Sequence, residues 1–125
     1  MATTTAEFTI DLTPADPLHA GTGRFDFTKT WTGGLTGTST GSMLSGGDPS
    51  TGVAGYVAIE VFTGTVDGRE GTFALQQFGT MDGGEPELVY LVTPGSGTGA
   101  LTDLRGLVEM DVVDGVHRVE FEYAL

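Results

Sequence analysis

The segment Gly55–Gly79 constrains what this chain can fold into more than any other stretch. Two apolar-rich runs flank Asp67-Gly68, and an Asp-Gly pair between such runs is the strongest local signal for a β-hairpin with a two-residue loop. That loop pairs Val66 with Arg69 and, counting back, Glu60 with Leu75. Tyr56, Ala58, Glu60 and Phe62 then share a face with Phe73, Leu75 and Gln77, and Gln77 lies diagonally across from Glu60. Val57, Ile59, Val61, Ala74, Gln76 and Phe78 fall on the other face. Both faces are mostly apolar, so the hairpin is expected to be covered on both sides.

The remaining runs extend the same pattern. Phe8, Ile10 and Leu12 alternate with polar residues in a first strand expected to stop at Pro14. Arg24–Thr32 carries Phe25, Phe27, Lys29 and Trp31 on one face, and Leu35–Leu44 is a weaker strand rich in Thr, Ser and Gly. Ser45–Gly52 has the composition of a mobile loop. Leu88–Thr93 is an unbroken, buried strand. A last hairpin turns at Asp114-Gly115, with Val108, Met110, Val112, His117, Val119, Phe121 and Tyr123 inward and Glu109, Asp111, Arg118, Glu120 and Glu122 outward.

With 21 glycines and no long 3.6-residue period, these eight runs make an all-β chain. A single eight-stranded antiparallel up-and-down barrel over residues 1–125 satisfies them and removes the exposed edges. Such a barrel is filled by side chains or holds one small ligand. No repeat or linker divides the chain.

Seventeen acidic against five basic residues give a net charge of −12, a field that repels nucleic acid and anionic membranes. The chain has no cysteine, its first residues lack a signal peptide's basic and apolar regions, and no run nears the ~18 apolar residues of a membrane span. A soluble cytoplasmic protein is the expectation, and self-association into a homo-oligomer is left open.

Three residues are candidates for chemistry. Glu60 sits among apolar neighbours, where a carboxyl is either a tuned acid or base or a structural group bonded to Gln77, Tyr56 or a turn. His117 is a histidine on an apolar face near the rim, a proton shuttle or a satisfied structural residue. Gln77 shares the face of Glu60. Phe25, Phe27, Trp31, Tyr56, Phe73, Met110, Phe121 and Tyr123 are candidates to line a cavity, against the plainer reading that they fill the core. His19 is a loop residue, two histidines without clustered carboxylates do not make a metal site, and no cofactor is expected. Pro94–Gly99 lacks the Gly-Lys-Ser/Thr ending of a phosphate-binding loop, so it is read as a turn needing positive φ, and Ser96 has no triad partner nearby.

Gly55-Tyr-Val-Ala-Ile-Glu60, Thr63-Gly-Thr-Val-Asp-Gly-Arg-Glu-Gly71, Phe73-Ala-Leu-Gln-Gln-Phe-Gly-Thr80, Pro94–Leu101 and Gly115-Val-His117 together resemble the bacterial family DUF3224 over about half of the chain. Gln77 departs from that family's pattern, which has histidine there, and the first strand lacks the aromatic expected near Leu12. If the histidine were a base, Glu60 or His117 would have to serve instead. The resemblance implies a barrel like that of plant allene oxide cyclase, related in shape to lipocalins (calycin-like) and to cyclases that fold a polyene in their cavity. Fold alone does not carry function.

The first expectation is a barrel that binds a hydrophobic small molecule, with cofactor-free cyclisation or isomerisation as its catalytic form. In that form Glu60 with Gln77 polarises a carbonyl or moves a proton. The alternatives are a non-catalytic carrier of such a ligand and a filled structural barrel with a protein partner.

Overall fold

The computed structural model describes Met1–Leu125 and consists of strands β1 (Ala2–Ala15), β2 (Thr22–Gly33), β3 (Leu35–Asp48), β4 (Val53–Val66), β5 (Arg69–Asp82), β6 (Glu85–Val92), β7 (Arg105–Val113) and β8 (Val116–Ala124). Each strand pairs antiparallel with the next, and β8 returns to β1 to close an up-and-down barrel. The register from the Asp67-Gly68 turn holds through β4 and β5, with Val66 opposite Arg69 and Glu60 opposite Leu75. Both central residues of each Asp-Gly turn have positive φ: 47° and 83° at Asp67-Gly68, 52° and 78° at Asp114-Gly115. Such angles match the right-handed strand twist, which is why this dipeptide is favoured there.

The two ends of the barrel differ. At one end the core is dense: Leu35, Phe62, Val66, Phe73 and Phe121 are buried, together with Leu101 and Leu104 from the crossing between β6 and β7. An aromatic chain runs through this half from Phe8 to Trp31, Phe62, Phe73, Phe121 and Tyr123. The crossing acts as a plug. It leaves the sheet after Val92 yet stays bonded to β5, where Thr93 and Thr98 donate their amides to Ala74 and Thr72. Ser96 Oγ and Thr98 Oγ1 accept the Ala74 and Thr72 amides in return. Ser96 thus serves as a backbone surrogate in the ladder. Gly95 and Gly99 take the positive φ expected of this segment.

Four sequence expectations are corrected. β1 continues through Pro14 to Ala15, because Pro14 pairs only with Phe25 of β2 while the β8 pairing ends at Phe8. Its missing N–H therefore breaks no second ladder. Ser45–Gly52 is no long loop: β3 runs to Asp48, whose side chain caps a single 3-10 turn at Pro49–Thr51. The hairpin is covered on its inner face only, since Val57, Ile59, Val61 and Phe78 are each about half exposed. β6 is likewise one-sided: Tyr90 and Val92 are buried on the inner face, where Leu88 reaches the open end, and Val89 on the outer face is exposed.

Candidate functional site

Alternation along β2 and β4 sends Lys29 and Glu60 inward from strands that are not neighbours. Between them runs β3, where Ser39 lies opposite Lys29 and Gly41 lies opposite Glu60. A Cβ on Gly41 would stand 2.8 Å from both Glu60 Cβ and Phe27 Cζ, and 2.2 Å from the Ile59 carbonyl oxygen. Glycine there clears the inner face of β3, and the two side chains meet over it. Lys29 Nζ donates to Glu60 Oε1 at 2.8 Å.

Every group around this pair is bonded. Tyr90 Oη, from β6, donates to Glu60 Oε1 at 2.6 Å and accepts from Lys29 at 3.0 Å. Ser39 Oγ donates to Glu60 Oε2 at 2.5 Å and accepts from Trp31 Nε1 at 3.0 Å. The Lys29 ammonium also lies 4.5 Å from the ring centre of Phe8 and 5.1 Å from that of Phe27, within cation–π range. Lys29 and Glu60 are 4% and 2% exposed, so a cation and a carboxyl share a dry interior. Burial pulls the Lys29 ammonium below its ordinary pKa, opposed by the charge and hydrogen bond of Glu60. Burial, with the Glu60 charge added, pushes the Tyr90 phenol well above its usual range.

Glu60 points inward as the turn register predicts, but its partners differ from those expected. Gln77 and Tyr56 bond each other, Nε2 to Oη at 2.5 Å, and neither reaches Glu60. Sequence reasoning did not single out Lys29, Ser39 and Tyr90. The visible signal was Lys29 itself, a cation in line with Phe25, Phe27 and Trp31.

Toward the open end, a cavity of about 430 Å³ lies among Phe25, Met43, Tyr56, Met81, Leu88 and Met110. The structure brings three of the eight lining candidates to it: Phe25, Tyr56 and Met110. Phe27 and Trp31 surround Lys29 instead. Phe73, Phe121 and Tyr123 belong to the plugged end, where the Tyr123 hydroxyl bonds the Asp67 carboxylate. His117 stacks on Phe8 with ring centres 4.7 Å apart and is not among the cavity's lining residues. Burial raises the Tyr56 phenol, the bond from Gln77 partly offsetting it. Tyr56 therefore faces the cavity as a neutral hydroxyl at physiological pH. A larger depression of about 760 Å³ runs outside β7, β8 and β1 between Glu7, Glu109, Asp111, Arg118 and Glu120. Its charged, outward-facing lining makes it a surface groove.

A closed eight-stranded barrel, plugged at one end and hollow and apolar at the other above a buried ion pair, defines the class of this protein. The chain belongs to the DUF3224 family, described as a protein of unknown function, whose model matches residues 4–123. It is similar to a crystal structure of a protein with unknown function from that family from Shewanella oneidensis MR-1, with 39% identity and a TM-score of 0.94. The alignment covers 100% of this chain and 97% of the other. No curated protein matches.

Proposed function

We propose that this protein binds a small, mostly apolar molecule in the open end of its barrel. The observation that carries the reading is the cavity of about 430 Å³, within the roughly 300–1,000 Å³ typical of small-molecule sites, with Tyr56 as a polar handle among apolar walls. The Lys29–Glu60 cluster supports the binding end as a rigid floor, since its hydrogen-bonding groups are already engaged with one another.

Cofactor-free cyclisation or isomerisation is the catalytic form of this reading, and the hydrogen bond from Gln77 to the Tyr56 hydroxyl is what favours it. A phenol whose oxygen already accepts from an amide is a better donor to a substrate carbonyl. In that form Tyr56 polarises the carbonyl, Gln77 orients Tyr56, and the cavity wall holds the chain of the substrate in a reactive shape. Glu60 acts only through the floor. The same fold used as a carrier would hold the molecule unchanged.

Titration with the neutral fluorophore N-phenyl-1-naphthylamine tests the binding step. The wild type is expected to enhance its emission saturably, and Leu88→Trp, which fills the cavity, is expected to weaken binding by about tenfold or more, a loss of about 1.4 kcal/mol. Equal binding by both proteins would place the probe elsewhere and remove the support for this reading.

A further inference from the structure

The outer surface of the barrel is divided in two. Across β4, β5 and β6 the register sets Val57 beside Phe78 and Phe78 beside Val89, with all three side chains outward. Ile59 and Val61 flank this row on β4, and Leu107 extends it through its pairing with Leu91. The outward positions of β4 from Val53 to Thr65 carry no charge at all. In a chain of net charge −12 that is a marked gap. The charges are densest on the far side, where β7, β8 and β1 present Glu109, Asp111, Glu120, Glu122, Glu7 and Asp11 against Arg105 and Arg118. Those nearer the apolar row form its rim: Glu70 and Asp82 at the ends of β5, Glu85 and Glu87 at the start of β6, and the Arg24–Asp26 pair on β2.

We infer that the apolar face of β4–β6 is the contact surface of a two-fold dimer of this chain. Val57, Ile59, Val61, Phe78, Val89 and Leu107 are each 39–56% exposed in one contiguous row, and a monomer ordinarily leaves no apolar patch larger than ~300–600 Å² uncovered. With a polar rim the face approaches the ~800 Å² per partner of a standard interface. An isologous arrangement sets the same patch against itself, so a charge-free surface suits it. The charge layout favours a second copy of an acidic protein. Across an eight-stranded barrel roughly 15 Å wide, face-to-face packing holds the two acidic sides more than a Debye length (~8 Å) from the interface. Packing through β7, β8 and β1 would instead set carboxylates against one another. The face lies outside the cavity, so the inference is independent of the ligand reading.

Sedimentation velocity on the full chain decides it. The expected species has twice the 12.9 kDa mass of the chain. Its dissociation constant should fall as salt is raised from low concentration to about 0.5 M, because screening removes the residual repulsion. Ile59→Lys is expected to weaken the dimer by about 100-fold or more, since a two-fold interface carries each substitution twice. Should that variant fail to fold, the pair Ile59→Thr and Val61→Thr, which retains β propensity, is expected to weaken association in the same direction. Circular dichroism and Trp31 emission identify which variant is folded. A wild type monomeric at every concentration overturns the inference, as does a dimer unchanged in a folded variant. A monomer that instead binds phosphatidylcholine vesicles also overturns it, by assigning the face to lipid.

Discussion

A buried ion pair is a costly way to fill a barrel, because two desolvated charges recover their hydration only through good geometry. Here that geometry is complete, and no buried side-chain nitrogen or oxygen lacks a partner. Removing one member should therefore be worse than removing both. Lys29→Met strands the Glu60 carboxyl and is expected to cost about 3–5 kcal/mol, whereas pairing it with Glu60→Leu should recover most of that loss. Denaturant titration followed by the emission of Trp31, the only tryptophan, measures each step. A double variant as unstable as the sum of its singles would contradict the coupling. Glu60 itself was legible in the sequence: the Asp67-Gly68 turn fixes its face, and a carboxyl between Ile59 and Val61 is conspicuous. Its partners were not, for a geometric reason. Pairwise register relates adjacent strands, whereas Lys29 on β2 and Tyr90 on β6 each reach β4 over an intervening strand. Only the closed curvature of the wall, with the small Gly41 between β2 and β4, brings them together. The diagonal argument that linked Gln77 to Glu60 treated the sheet as flat.

At the scale of elements, the β4–β5 turn does more than reverse the chain. Asp67 accepts from Thr4 Oγ1 at 2.8 Å and from the Tyr123 hydroxyl, while its amide donates to the Gly34 carbonyl at 2.8 Å. One turn residue thus ties β4 and β5 to β1, β8 and the β2–β3 turn, closing the plugged end. Asp67→Ala loses both side-chain bonds and places a residue poorly suited to φ of 47° in the turn. It is expected to cost about 2–3 kcal/mol, with Asp67→Asn costing less because Asn tolerates that conformation and keeps an acceptor. Comparing the two in thermal unfolding separates the clasp from the turn, and equal losses would show that the charge alone matters. The turn as a turn was plain from Asp-Gly, but its side-chain bonds join residues 63 and 56 positions away and have no local signature. The error at Pro14 was of the opposite kind. A local rule ended β1 where the free side of the strand tolerates proline. Composition likewise made Ser45–Gly52 a loop, although β3 stays paired residue by residue with β4 through Asp48 opposite Val53.

For the molecule as a whole, alkaline pH probes both ends of the barrel and the buried centre together. The chain has three tyrosines, and all three phenols are held above their ordinary pKa of about 10. Burial is the main cause at Tyr56 and Tyr90, while the hydrogen bond to Asp67 is the main cause at Tyr123. A folded state that keeps phenolic protons the unfolded chain has released loses stability as pH rises, starting at the unfolded value near 10. Lys29 works with the opposite sign. Its ammonium is lowered from 10.5, so the unfolded chain holds that proton more tightly and stability rises with pH until 10.5, where the contribution levels off. Above that point only the tyrosines act, and three groups drive the same loss. The melting temperature is therefore expected to fall steeply above pH 10.5, with phenolate absorbance at 295 nm delayed until the fold opens. Two variants separate the signs. Tyr90→Phe should flatten the alkaline fall even though it lowers stability at neutral pH by removing two buried hydrogen bonds. Tyr123→Phe should flatten it less, because its shift depends on one bond at the clasp. Phenolate appearing near pH 10 while the circular dichroism stays native would show that the tyrosines are free of these partners.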